Sequence, residues 1–170
     1  RHPEKVKRLS ITGANLWPYS SAISGPDYMW GFNYYDTLGK MPQTPENIHA
    51  RKLVGLDLFQ PNITVQQLKH IKCPTLVIGG DHDLILTEHT MLIAKSIPGA
   101  FLWIVPNSGH GTLIDHKERF NEVVDDFLSA DISCASIFRL NAATAISDKI
   151  IVFMAVMLKY ACMTASYFKI

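Results

Sequence analysis

The stretch CPTLVIGGDHDLI, residues 73–85, is the part of the chain that decides its fold. Together with VPNSGHG, residues 105–111, it follows one pattern: an apolar run typical of a buried parallel strand, then a polar turn that carries an acid or a histidine. Parallel sheets of α/β proteins keep their ligand and reaction sites at this carboxyl edge. An acid after one strand and a histidine after the next can together form part of a nucleophilic site.

The residues around these two strands predict further elements of an α/β protein. Thr87 caps a predicted helix from about Glu88 to Ile97, so the two strands should be parallel with a right-handed crossover. Leu9 and Ile11 alternate with polar residues and predict a third strand. The sequence therefore predicts a partial parallel sheet, with three readable strands and flanking helices.

Three other segments differ in how clearly their sequences predict a helix. Thr44, Pro45 and Glu46 open a predicted helix that ends near Phe59. Apolar residues at helical spacing between 120 and 128 predict an amphipathic helix. Residues 18–42 are rich in Gly, Pro, Ser and aromatics, and we expect irregular structure there with short helical turns.

Composition limits the classes of partner. A chain of 170 residues fits one domain, and 16 basic against 15 acidic residues give no patch for nucleic acid. Three distant cysteines make a disulfide framework improbable and point to a reducing, cytoplasmic compartment. The chain opens on Arg1 with neither an initiator Met nor a signal segment, so we treat it as a portion of a longer protein.

The order of these features resembles the carboxyl-terminal half of an α/β-hydrolase-fold protein. The features are HPEKV at residues 2–6 before a strand, a cap segment at about 17–70, GDHD at 80–83, SGHG at 108–111 and a final helix. The resemblance covers residues 1–129. It implies a hydrolase that acts on a small ester-like or other small apolar substrate and that needs no metal or organic cofactor.

By this resemblance, Asp83 matches the catalytic acid and His110 matches the catalytic base. The carboxylate would fix the tautomer of the imidazole and stabilise the imidazolium. Asp81 is the competing acid, although a structural role as a turn residue suits it better.

The nucleophile is the missing part. No Gly-x-Ser-x-Gly segment occurs in the chain, and Ser108 is better interpreted as a turn residue than as a nucleophile. We therefore predict that this chain alone is inactive, with an incomplete triad. The alternative is a non-catalytic binding or interaction module of the same fold.

A metal site is the competing chemical hypothesis. Several nitrogen and oxygen ligands cluster in sequence near two strand ends, although no fixed ligand spacing is present. They are Asp81, His82, Asp83, His89, His110, Asp115 and His116. We expect His82 and His89 to face solvent instead.

The aromatic cap segment admits two interpretations. Its side chains either shape the specificity for an apolar substrate or simply bury the cap against the core. The sequence does not decide between them.

Residues 130–170 differ from the rest and form an unrelated-looking apolar extension. Residues 150–168 are long enough for an apolar helix that spans a bilayer, but Lys159 at the midpoint makes a membrane anchor the less favoured alternative. A helix docked on the core and a foreign sequence are the other two hypotheses. We also predict low solubility for residues 1–129 alone, because the first strand would expose an unpaired edge.

Overall fold

The computed structural model describes residues 2–130 and 153–155, and a parallel sheet forms its centre. The strands lie in the order β3-β2-β1-β4, and every pairing is parallel. They are β1 (Leu9–Thr12), β2 (Thr75–Gly80), β3 (Phe101–Val105) and β4 (Phe153–Ala155). The three predicted strands and their parallel pairing are thus confirmed.

The α-helices that the structure describes are α1 (Gly25–Lys40), α2 (Pro45–Phe59), α3 (Val65–Leu68), α4 (Thr87–Ser96), α5 (Thr112–Asp115) and α6 (Lys117–Ser129). α4 packs on one face of the sheet and α6 on the other, whereas α1 and α2 pack against each other. Val77 of β2 belongs to the core on the α4 side, with Ile93 and Ile97. Leu76 and Ile78 belong to the α6 side, because successive side chains of a strand point to opposite faces. β2 lies between β1 and β3, and every one of its residues is buried.

The predicted irregular structure at residues 18–42 is wrong for most of that range. Residues 25–40 form α1, a helix with a proline in its first turn. Tyr28, Phe32 and Tyr35 follow a helical spacing of four and three residues, and the last two meet Phe59 of α2 edge-on. The aromatic and glycine content of the segment concealed this spacing. Tyr28 packs against the buried cluster that contains Ile85, and Phe32 and Tyr35 pack between α1 and α2, which favours burial over substrate contact for these three aromatics.

The predicted apolar helix of residues 150–168 meets the described residues only at β4. Phe153–Ala155 is a strand and pairs with β1, with Ile11 opposite Met154. A continuous apolar run does not by itself distinguish a buried strand from a helix, which is why the helix prediction is wrong for these three residues. The rest of that prediction, and the hypotheses for residues 131–152 and 156–170, lie outside the described residues. Of the helices that the structure describes, none is long and apolar enough to cross a membrane.

Candidate functional site

Asp83 and His110 lie together at the carboxyl edge of the sheet. Asp83 follows β2 and His110 follows β3, and Oδ1 of Asp83 lies 2.8 Å from Nδ1 of His110. The same oxygen accepts a hydrogen bond from the backbone N–H of Ile85 at 2.9 Å. The Asp83 side chain is fully buried and that of His110 is 10% exposed. The pair is therefore shielded from bulk water while the imidazole still reaches the surface.

This contact determines what the imidazole can do. A carboxylate only accepts hydrogen bonds, so Nδ1 of His110 carries the proton in this contact and Nε2 is left as the basic ring nitrogen. Charge-assisted hydrogen bonds are strengthened where water is excluded. The arrangement can therefore hold an imidazole in one orientation and stabilise its protonated form.

Asp81 connects the two loops of the site instead of contacting His110. Its carboxylate accepts hydrogen bonds from the backbone N–H groups of Asn107 and Ser108, both at 3.0 Å. These backbone hydrogen bonds, with the His82 side chain at 2.7 Å, hold the pKa of Asp81 well below its usual range. Asp81 thus fixes the loop that carries His110.

Two glycines let backbone segments approach the site closely. A side chain on Gly80 would lie 2.1 Å from the carbonyl oxygen of Ser108, so only glycine lets the histidine loop lie over the end of β2. A Cβ on Gly13 would lie 2.7 Å from Cε1 of His110, and Gly13 also has a positive φ of 56°. Gly13 directly follows β1, which is the sequence signal by which it could have been found.

A buried pair of threonines attaches the start of α5, two residues after His110, to the end of β1. Oγ1 of Thr12 lies 3.1 Å from Oγ1 of Thr112, and both residues are buried. Sequence reasoning missed this pair because its members are 100 positions apart. The end of β1 therefore supports the histidine together with β2 and β3.

His89 does not face solvent, which corrects the prediction for this residue. It is only 2% exposed on α4, and its Nε2 accepts a hydrogen bond from the backbone N–H of Leu16 at 3.0 Å. Burial lowers the pKa of His89. The prediction for His82, by contrast, is confirmed, because that side chain is 76% exposed.

The remaining candidates have other surroundings. Ser108 is buried, its N–H bonds to Asp81 and its hydroxyl donates to the Gly109 carbonyl at 3.4 Å, which suits a turn residue. Within residues 2–130 and 153–155, no three His, Cys, Asp or Glu side chains gather as a metal-ion site.

Comparison with known proteins gives the family context. No family model matches the chain. The chain is similar to 2-hydroxymuconate semialdehyde hydrolase of Pseudomonas putida, with 28% identity over 160 residues that cover 76% of this chain and 56% of the relative. It is also similar to human serine hydrolase BPHL, with 31% identity over 147 residues that cover 75% of this chain and 48% of the relative. The chain spans about half the length of these curated relatives.

The solved structures agree with this sheet and its flanking helices. Rv0554 of Mycobacterium tuberculosis superimposes with a TM-score of 0.56 at 17% identity, over 74% of this chain and 57% of that protein. At this identity the similarity shows the fold alone, and the curated hydrolases supply the relationship in sequence. An α/β-fold family hydrolase of Bacillus anthracis also superimposes, with a TM-score of 0.52 at 18% identity over 72% of this chain and 58% of that protein. The described part of the chain therefore has the α/β-hydrolase fold, and its sequence is similar to that of curated hydrolases.

Proposed function

We propose that this chain carries the acid and the base of a serine-type hydrolase, with Asp83 as the orienting acid and His110 as the general base. The observation that carries the proposal is the 2.8 Å contact between a fully buried carboxylate and a nearly buried imidazole at the carboxyl edge of a parallel sheet. Such a pair can accept the proton of a nucleophile and later return it to the leaving group. Both relatives are hydrolases, which supports the same reaction class.

The nucleophile comes from outside these 170 residues in this proposal. No Gly-x-Ser-x-Gly segment is present in the sequence, and the buried Ser108 is held in a turn. A serine in a nucleophile elbow would attack an acyl carbon of a small ester-like substrate, and His110 would take the hydroxyl proton as the new C–O bond forms. The portion that carries this chemistry is residues 1–129, with a cap segment at about 17–70.

The setting of the proposed enzyme follows from composition and from one cysteine. Cys73 is a free thiol in the described part of the chain, which fits a reducing compartment such as the cytoplasm. A near-neutral charge of +1 gives no electrostatic reason to bind nucleic acid. A small-molecule substrate is therefore the partner that we propose.

The test uses a protein that joins this chain to the in-frame upstream coding sequence containing the elbow serine. We expect that His110→Gln lowers the rate of fluorophosphonate labelling by about 10³-fold or more. Asp83→Asn should lower it by about 10²- to 10⁴-fold, because the carboxylate that fixes the tautomer is lost. His49→Gln, on the exposed face of α2, is the matched control and should label at the native rate.

Two results would overturn this proposal. Labelling of the isolated 170-residue chain would show that it contains its own nucleophile. Native labelling of His110→Gln in the longer protein would show that this histidine is not the base. An upstream sequence without any elbow serine would favour a second function, a non-catalytic binding or interaction module, which the missing elbow motif already makes the leading alternative.

A further inference from the structure

We propose that His89 is a positioning residue: its buried imidazole holds the loop between β1 and α1 in the place from which Gly13 contacts the ring of His110. This inference rests on the proposed function, since it gives His89 a part in orienting the base. His89 does not touch His110 in this proposal and acts through residues 13–24, which we call the β1–α1 loop.

His89 accepts a hydrogen bond from the backbone of the β1–α1 loop. A backbone N–H can only donate, so the Nε2 atom that lies 3.0 Å from the Leu16 nitrogen must be unprotonated. Trp17 packs edge-on against the same imidazole, with ring centroids 4.8 Å apart and planes at 79°. Burial of His89 at 2% exposure favours the neutral form that this bond requires. His89 is thus a fixed acceptor aimed at one backbone group of the loop.

The β1–α1 loop is attached at several points, and His89 provides the middle one. Near its start, the Gly13 N–H donates to the carbonyl of Ile78 in β2. At its far end, the Ser24 N–H donates to the carbonyl of Leu84, and the Leu86 N–H donates to the carbonyl of Ala22. The loop therefore runs from the end of β1, beside His110, to the turn that carries Asp83.

The side chain at Leu16 is held as well as its N–H. Leu16 is 3% exposed and packs in the core on the α4 side, and its carbonyl accepts from the Ile63 N–H at 2.8 Å. Loss of the His89 acceptor would leave the Leu16 N–H buried without its partner, which is costly enough to make the backbone move.

A movement of this backbone would reach His110. Gly13 lies three residues before Leu16, and the space where its Cβ would stand is occupied by the His110 ring, 2.7 Å from Cε1 and 3.0 Å from Nδ1. Nδ1 is the atom that contacts Asp83. Loop and carboxylate therefore bound the same edge of the imidazole, so that displacement of the loop frees the ring to rotate.

The test compares two substitutions in the 170-residue chain by NMR. His89→Leu removes the acceptor, whereas His89→Gln places an amide oxygen in the same region. We expect that the Leu16 amide exchanges with solvent about tenfold faster or more in His89→Leu, and that the ring resonances of His110, which report its tautomer and orientation, shift. His89→Gln should restore Leu16 protection and the native His110 ring resonances. His49→Leu, at an exposed histidine of α2, should leave both readouts unchanged.

A purely structural histidine would give a different result. Both His89 variants would then lower the free energy of unfolding while the His110 ring resonances stayed at their native positions, and that outcome would overturn the proposal. Unchanged Leu16 protection in His89→Leu would overturn it as well. These readouts need no catalysis, so they are independent of fluorophosphonate labelling, which tests the proposed function separately.

Discussion

At the residue scale, one oxygen atom of Asp83 organises the candidate site. Oδ1 receives both the Ile85 N–H and the His110 ring, while Oδ2 is buried and has no hydrogen-bond partner among the described residues. The turn therefore presents one oxygen of the carboxylate to the imidazole.

Gly13→Ala tests how closely the loop must approach this imidazole. Alanine at a φ of 56° costs about 1 to 2 kcal/mol, and its Cβ would also displace the His110 ring. Gly99→Ala is the matched control, because Gly99 has a φ of 69° but nothing within 4 Å of the added Cβ. In urea unfolding, we expect Gly13→Ala to lose about 1 kcal/mol more than the control. Equal losses with unchanged His110 resonances would contradict the close contact.

The pH dependence of stability tests the burial of His89. Its pKa is lowered from an ordinary value of 6.5, so the unfolded chain binds the proton more readily than the folded one. This contribution is fully present above pH 6.5 and is lost as the pH falls through the lower folded pKa, by at most about 1.4 kcal/mol per pH unit. Asp81 and Glu46 act at lower pH, because their ordinary values are 3.8 and 4.5.

The measurement is the free energy of unfolding between about pH 7 and pH 5, in the native chain and in His89→Gln. We expect the native slope to be steeper than that of the variant, because glutamine does not titrate. Parallel slopes would mean that the histidine is equally protonated in both states, contrary to its burial.

The sequence marks Asp83 and His110 but not their supporting residues, and the reason is physical. An acid and a histidine that directly follow apolar strands are marked by their local surroundings. The bond from Leu16 to His89 joins positions 73 apart, so neither residue carries a local sign of it. A histidine on a helix is usually partly exposed, and that general tendency produced the wrong prediction.

At the element scale, α6 is fixed to the sheet by a cation at its carboxyl end. The guanidinium of Arg8, just before β1, donates to the carbonyl oxygens of Phe127 and Ala130. Carbonyls in the last turn of a helix lack partners within the helix, and they carry the negative end of its dipole. One side chain thus joins the first strand to the last described helix.

Arg8→Met should therefore weaken this junction. We expect a loss of about 1.5 to 3 kcal/mol in the free energy of unfolding, typical of hydrogen bonds to a charged group. The matched control is Arg119→Met, whose Arg119–Glu122 ion pair is 63% and 60% exposed and should contribute less than about 1 kcal/mol. Chemical denaturation of both variants measures the difference. A loss for Arg8→Met no larger than that of the control would show that the helix end is satisfied otherwise.

The elements themselves were predictable to different degrees. The strand at Thr75–Gly80 was predictable because Cys73-Pro74 sets an extended start and the glycines mark its end. The helix α1 was not, because glycine and aromatic residues are moderate or poor helix formers. Its stability comes from packing against α2, where Leu58 closely contacts Gly31, and such tertiary contacts are not visible in propensity.

At the scale of the whole molecule, the candidate site lies at the carboxyl ends of β2 and β3. The strand order β3-β2-β1-β4 places β4 on the side of β1 that faces away from β2. The strands that precede Asp83 and His110 lie next to each other, so both turns open on the same side. Sequence reasoning predicted this part because a βαβ unit has one handedness. The pairing of β4 with β1 is a contact between distant positions, Ser10 and Phe153, that no local pattern indicates.

This pairing leads to a prediction for the whole chain. Removal of residues 131–170 takes β4 away and exposes the backbone N–H and C=O groups of the β1 edge. An unpaired, apolar parallel edge associates with other chains, so we expect the shortened chain to self-associate, with an apparent mass that rises with concentration in size-exclusion chromatography with light scattering. Met154→Pro in the full chain removes one backbone donor from β4 and should shift it in the same direction. A shortened chain that stays monomeric at every concentration would contradict a protective role for β4.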